Sequence, residues 1–143
     1  MARKVLLSYP DFSKPFHIYT DASDKQLGGI IVQDDKPIAL YSRKLTPPQR
    51  NYTVMEKELL SIVEITEQHR NILFGFPLVL HSDHKNLSFN NFHSERVRRW
   101  RLLLEEYPYE FRYKTGRENF IADMISRFDM IPATQLDVID MNV

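Results

Sequence analysis

Phe16-His17-Ile18-Tyr19-Thr20-Asp21 alternates apolar and polar side chains and then stops on a carboxylate. The period of two is that of a half-buried β-strand. A second run, Leu27–Gln33, ends at Asp34-Asp35, and a third covers about residues 37–42. Three strands separated by short polar turns make an antiparallel meander. Pro47-Pro48 then halts extended structure and introduces a helix over about residues 51–74. Tyr52, Met55, Leu59, Ile62, Val63, Thr66 and Leu73 recur on one face of that helix. Gly75 follows as a C-terminal cap.

Leu78-Val79-Leu80-His81-Ser82 is a further strand ending on a carboxylate, Asp83. Because a helical crossover precedes it, it is expected to lie parallel to an earlier strand. A helix over about residues 95–107 and a half-exposed strand over Tyr109–Tyr113 follow, then a short helix, Asn119–Phe128. The order is β-β-β-α-β-α-β-α. It predicts an α/β fold whose mixed five-stranded sheet combines an antiparallel meander with parallel strands and is flanked by helices. Residues 1–15, punctuated by Pro10 and Pro15, form a lead-in. Residues 16–128 form the domain, and residues 129–143 form a C-terminal linker or tail.

The chain has 143 residues, 43% of them hydrophobic and 27% charged, which suits one globular domain. It has no cysteine, so disulfides, thiolate nucleophiles and Cys-based zinc sites are excluded. No apolar run approaches the roughly 18–20 residues that span a bilayer. The 19 basic and 19 acidic residues cancel. A stand-alone nucleic-acid binder is usually basic, so any grip on nucleic acid by this domain alone is expected to be weak and salt-sensitive.

Four carboxylates stand at the strand ends and helices. Asp21 and Asp83 close strands, Glu58 lies in the first turns of the long helix, and Asp123 sits in the last helix. Strand carboxyl ends of an α/β sheet gather on one side. Dispersed carboxylates brought together there are what two Mg²⁺ ions roughly 3.5–4 Å apart require. Asp21 and Asp83 also have the plainer reading of turn starters, and Asp123 that of an exposed helical residue. Projection at about 100° per residue puts Glu56 and Glu58 on opposite flanks of the apolar stripe, and periodicity alone does not choose between them.

Thr20-Asp21-Ala22-Ser23-Asp24, Tyr41-Ser42-Arg43-Lys44-Leu45, and Asn51-Tyr52-Thr53 leading to Glu56-Lys57-Glu58-Leu59-Leu60 form one series of motifs. Ser82-Asp83-His84-Lys85-Asn86-Leu87, Arg98-Arg99-Trp100, and Gly116-Arg117-Glu118-Asn119 running on to Ala122-Asp123-Met124-Ile125-Ser126-Arg127 continue it. In this order the series resembles the ribonuclease H domain of gypsy-type (Metaviridae) LTR retrotransposons, over about residues 5–128. The resemblance implies a ribonuclease-H-like fold and metal-dependent endonucleolytic cleavage of the RNA strand of RNA–DNA hybrids during reverse transcription. It implies Asp21, Glu58, Asp83 and Asp123 as catalytic metal ligands, choosing Glu58, the glutamate directly before the Leu-Leu pair, over Glu56. Two Mg²⁺ ions, replaceable by Mn²⁺, are the implied cofactors.

The implied partners are the hybrid, a covalently linked reverse transcriptase polymerase domain and an integrase in one polyprotein, with no membrane. The implied setting is a cytoplasmic virus-like particle or the nucleus. Many ribonucleases H carry a histidine in the loop before the last helix. Lys114-Thr115-Gly116-Arg117-Glu118 has none, as in the gypsy-type domains.

Arg96, Arg98, Arg99 and Arg101 around Trp100 form the densest basic stretch, and one face of it, with Arg98, Arg99 and Arg101, suits phosphate contacts. Trp100, Leu103 and Leu104 can meanwhile face the core. His84 beside Asp83 is the imidazole nearest the carboxylates, with either a phosphate contact or a structural hydrogen bond open to it. Gly28-Gly29 either admits the RNA strand or relieves packing within the fold. The alternative to an enzyme is a catalytically weak or domesticated interaction module that keeps the fold, and loss of a carboxylate would have favoured it.

Overall fold

The structure, a computed structural model, describes residues 5–6, 8–82 and 94–113. Its strands are β1 (Val5–Leu6), β2 (Phe16–Ala22), β3 (Gln26–Gln33), β4 (Lys36–Lys44), β5 (Leu78–Ser82) and β6 (Tyr109–Tyr113). They form one sheet in the order β1-β4-β3-β2-β5-β6. β2, β3 and β4 are the expected antiparallel meander, and β5 runs parallel to β2 with β6 parallel to β5. The five expected strands are therefore joined by a two-residue edge strand, β1, which pairs with β4. Asp34 and Asp35 both have positive φ, 50° and 61°, between β3 and β4. Two left-handed residues define the tight hairpin turn whose twist matches its strands, and Asp tolerates that conformation better than most.

Part of the lead-in is ordered by one side chain. Gln33, buried at 4% exposure, accepts from the Asp11 amide (2.8 Å) and donates to the carbonyls of Asp11 (2.9 Å) and Lys14 (3.2 Å). A buried amide must satisfy its own donors and acceptor. Here it does so by pinning the segment that the prolines suggested was merely a lead-in.

The helix expected over residues 51–74 is instead three pieces. A 3-10 turn (Gln49–Asn51) precedes α1 (Val54–Gln68) and α2 (Arg70–Leu73). Tyr52 is extended, and Thr53 starts α1 through a capping box. The Thr53 hydroxyl accepts from the Glu56 amide (3.1 Å), and the Glu56 carboxylate accepts from the Thr53 amide (3.0 Å). The pair satisfies two backbone donors that a helix start otherwise leaves open. α1 ends at His69, whose φ of −114° and ψ of 28° leave the helical region. Gly75, at φ +89°, follows α2 in the left-handed conformation that glycine adopts freely.

α1 packs across β2 and β3 and carries the centre of the core with Leu59, Ile62 and Ile65. Gly29 is what allows the approach. A Cβ there would lie 2.9 Å from Ile65 Cδ1, 3.2 Å from Thr20 Cγ2 and 3.3 Å from the Tyr19 carbonyl oxygen. Of the two readings of Gly28-Gly29, Gly29 thus takes the packing one. Gly29→Ala is expected to destabilise by about 1–3 kcal/mol, as overpacking of a closed core does. The measurement is urea unfolding, with a lower midpoint at unchanged m-value. An unchanged midpoint would show that α1 can move away without cost.

α1 is also fastened to β4. Tyr41 donates its hydroxyl to Glu64 Oε2 (3.0 Å), and Arg43 donates to the Tyr41 hydroxyl oxygen (3.1 Å), Glu64 Oε1 (3.0 Å) and Gln49 Oε1 (3.0 Å). Burial, then the negative charge of Glu64, pushes the Tyr41 phenol up to about 12. The Tyr41–Arg43 part of the third strand motif is therefore a clamp between sheet and helix.

α3 (Glu95–Leu104) begins at Ser94, whose hydroxyl accepts from the Val97 amide (3.3 Å). It ends three residues before the expected limit. Tyr107, now beyond the helix, is buried in the same core.

Candidate active site

Asp21 is exposed near the carboxyl end of β2, where it pairs in register with Gly28 of β3. β5 lies alongside in parallel, Tyr19 matched to His81, so the carboxyl ends of β2 and β5 are neighbours. This is the side of an α/β sheet on which sites form. A cleft of about 250 Å³ opens beside Asp21, lined also by Ser23, Gln26, Gly28, Leu40 and Ser42. Gln26 spans it by donating to the Ser42 hydroxyl (2.6 Å), and the turn after β2 is closed by Ser23, whose amide donates to the Gln26 carbonyl (2.8 Å). Gly28 belongs to the cleft, whereas Gly29 belongs to the α1 contact.

Glu58 lies in the second turn of α1 and is buried, at 4% exposure. Its neighbour Lys57, 7% exposed, reaches the Asp24 carboxylate at 3.9 Å in the turn just after β2. That contact places the start of α1 against the end of β2, so Asp21 and Glu58 occupy the same end of the sheet. Glu56 is spent elsewhere. Beyond its capping role it pairs with Arg96 (3.5 Å), whose guanidinium also lies over the Tyr52 ring at 4.2 Å. Glu56 thus caps and bridges, whereas Glu58 is buried.

Asp83, Asp123 and His84 lie outside the described residues, as do the loop 114–118 and the helix expected over 119–128. Among the described residues, no three acidic or histidine side chains gather closely enough to hold a metal ion. Asp21 and Glu58 are hard oxygen donors of the kind Mg²⁺ takes, and a buried carboxylate such as Glu58 needs a cation or hydrogen-bond donors near it.

On α3, Arg98 and Arg99 are exposed and Arg101 is partly so. Arg98 is paired with Glu95 at 3.4 Å. Val97 and Leu104 are buried, and Trp100 and Leu103 pack against the core. Helix and arginines thus divide between two faces, as the sequence allowed. Two groups carried no legible signal. Lys57 is a buried lysine inside a run of charges, and Glu64 reads as an ordinary solvated helix residue until Tyr41 and Arg43 are placed opposite it.

Residues 11–107 match the model of the RNase H-like domain found in reverse transcriptase. The chain is similar to the Pol polyproteins of the Drosophila melanogaster transposons gypsy, 38% identical over 127 residues, and 297, 40% identical over 128 residues. These matches take in 86% and 87% of this chain and 12% of each relative. A Tf2-3 transposon polyprotein of Schizosaccharomyces pombe is 36% identical over 134 residues, 85% of this chain and 10% of its own length. The chain thus spans about one eighth or less of the curated relatives it matches. Among solved structures, a foamy viral protease-reverse transcriptase in complex with an RNA/DNA hybrid superposes with a TM-score of 0.65 at 22% identity, covering 77% of this chain and 16% of that one. The same viral protein with double-stranded DNA gives 0.64 at 21%, covering 77% and 25%. These likenesses establish the ribonuclease-H-like fold that the resemblance implies, and with the sequence matches they show that this chain belongs to the RNase H-like domains found in reverse transcriptases of retroelement Pol polyproteins.

Proposed function

We propose that this domain is a ribonuclease H, an endonuclease that cleaves the RNA strand of RNA–DNA hybrids while its parent polyprotein copies a retroelement genome. The observation that carries this reading is the placement of Asp21 and the buried Glu58 at one end of the sheet, in a chain of that family. Asp21, Glu58, Asp83 and Asp123 would hold two Mg²⁺ ions, with Mn²⁺ able to replace them. When bound, the metal pair activates a water and neutralises the leaving 3′-oxygen.

The remaining work falls to the protein's own groups. Glu58, buried on a packed helix, presents its carboxylate from a fixed position, which avoids reorganisation during the reaction. Asp21 stands at the open edge of the cleft, where a phosphodiester can approach it. Arg98, Arg99 and Arg101 project from α3 and would grip phosphates without reading bases, with His84 as a further contact. Selection for a hybrid over other duplexes would rest on 2′-hydroxyl contacts and groove shape. The polymerase and integrase regions expected in the same polyprotein would supply the affinity that a chain of zero net charge lacks.

The test is cleavage of an end-labelled RNA–DNA hybrid by the isolated chain, with single-stranded RNA and duplex RNA as controls, in Mg²⁺, in Mn²⁺ and in chelator. The expected result is metal-dependent cutting of the hybrid's RNA strand alone. Binding of the hybrid with no cutting in either metal would overturn the enzyme reading in favour of an interaction module.

A further inference from the structure

Lys57 is a costly residue to place where it is. It is 7% exposed, one position before Glu58, and its side chain as a whole is 9% exposed. Lysine is rarely so buried without a close partner. The ammonium makes no hydrogen bond to any described residue, and its one described counter-charge is Asp24 Oδ1 at 3.9 Å. The Asp24 side chain is 99% exposed. A pair that long, with one member fully in water, is weakly attractive and screened by salt. It does not explain why the stem is buried. What the burial does accomplish is to fix the direction of the chain. The side chain is almost wholly buried, and its ammonium lies 3.9 Å from Asp24 in the turn that follows Asp21.

We propose that the Lys57 ammonium is a phosphate contact of this site, a preset cation that takes a backbone phosphate of the bound hybrid and holds the strand over Asp21 and Glu58. The inference rests on the function proposed above and adds to it a residue outside the carboxylate set and the α3 arginines. Lysine acts on phosphate as a point charge with three donors, so it needs position rather than a planar partner. Burial supplies the position in advance, and less motional freedom is lost on binding. The exposed Asp24 then has a second consequence. It offers the ammonium a competing anion and repels an approaching phosphate, so its charge works against binding.

The experiment is fluorescence anisotropy of a labelled RNA–DNA hybrid in chelator, where the hybrid stays uncut, titrated at several salt concentrations. It compares the parent with Lys57→Met, Lys57→Arg and Asp24→Asn, and each protein's melting temperature is recorded. Met keeps an unbranched apolar stem, so the fold is expected to persist. Lys57→Met is expected to weaken binding by roughly three- to tenfold at low salt and to flatten the slope of log affinity against log salt by about 0.7–0.9, the loss of one phosphate contact. Lys57→Arg should restore the slope, and Asp24→Asn should bind at least as tightly as the parent. Equal slopes for the parent and Lys57→Met overturn the inference, whatever happens to melting temperature. So does a parallel weakening by Asp24→Asn, which would make the pair a structural tie. A parent that binds the hybrid with the expected slope yet never cuts it in metal leaves the phosphate contact standing and removes the nuclease reading instead.

Discussion

Glu58→Gln is expected to lower hybrid cleavage by roughly 10²–10³-fold or more while the protein stays folded, and Glu56→Gln is expected to leave cleavage near the parent rate. The two residues are two positions apart on one helix, yet their surroundings differ. Glu56 accepts from the Thr53 amide and pairs with Arg96 at 3.5 Å, with its side chain 14% exposed. A glutamine serves a capping box nearly as well as a glutamate, so what Glu56→Gln removes is a partly exposed ion pair. Its cost should be about 0–1 kcal/mol and should appear as a small fall in melting temperature. Glu58 is buried at 4% exposure, one position after the lysine that reaches Asp24 just past β2. Gln at that position keeps size and polarity but loses the charge that a divalent cation requires. Asp83→Asn tests the same logic at the carboxylate that follows β5 in sequence and should cost as much. If both glutamate variants were equally impaired, or if Glu56→Gln alone lost activity, the assignment of Glu58 would fall. Steady-state cleavage of a labelled hybrid, read beside a thermal melt, separates these outcomes.

What was legible in the sequence follows from how each feature is encoded. β2 could be read from its alternation, and β3 from a continuous apolar run bounded by turn residues. The hairpin at Asp34-Asp35 could be read because both residues must take positive φ, which few side chains tolerate. The subdivision of residues 51–74 was missed although its marker was present. Thr53 followed by Glu56 is a capping box, and the apolar stripe continues through Tyr52 at a phase that masks the real start. The break at His69 has no such marker, since nothing in the local residues forbids helix there. Glu58 was separable from Glu56 only by resemblance, because a projection shows which side of the stripe a residue is on. It does not show that one side meets a capping hydroxyl and an arginine from α3, 40 residues further on. The same limit hid the Tyr41–Arg43–Glu64 clamp and the burial of Lys57, both of which depend on contacts between elements rather than on local pattern.

Asp21→Asn is expected to abolish cleavage and, in chelator, to be more stable than the parent. These opposite effects have one cause. Carboxylates assembled at one end of a sheet repel one another when no cation lies between them, and the repulsion exists only in the folded state. Glu58 is already buried on α1, and Asp21 stands at the end of the strand that α1 crosses. Removing the charge of Asp21 relieves part of that repulsion and leaves the backbone of β2 undisturbed, since its ladder partner Gly28 contributes no side chain. Added metal then acts in the other direction. An ion that binds the folded protein alone stabilises it by mass action, about 1–3 kcal/mol at 10 to 100 times its dissociation constant. For a chain of this size that corresponds to roughly 4–10 °C in melting temperature. The parent should therefore gain several degrees from millimolar Mg²⁺ or Mn²⁺, and Asp21→Asn should gain much less, so that the order of stabilities in chelator narrows or reverses in metal. Thermal melts of both proteins in chelator and in Mg²⁺ decide the matter without any appeal to activity. A parent indifferent to metal, together with a variant no more stable than the parent in chelator, would mean that the carboxylates do not converge, and a two-metal site would then lack its electrostatic basis.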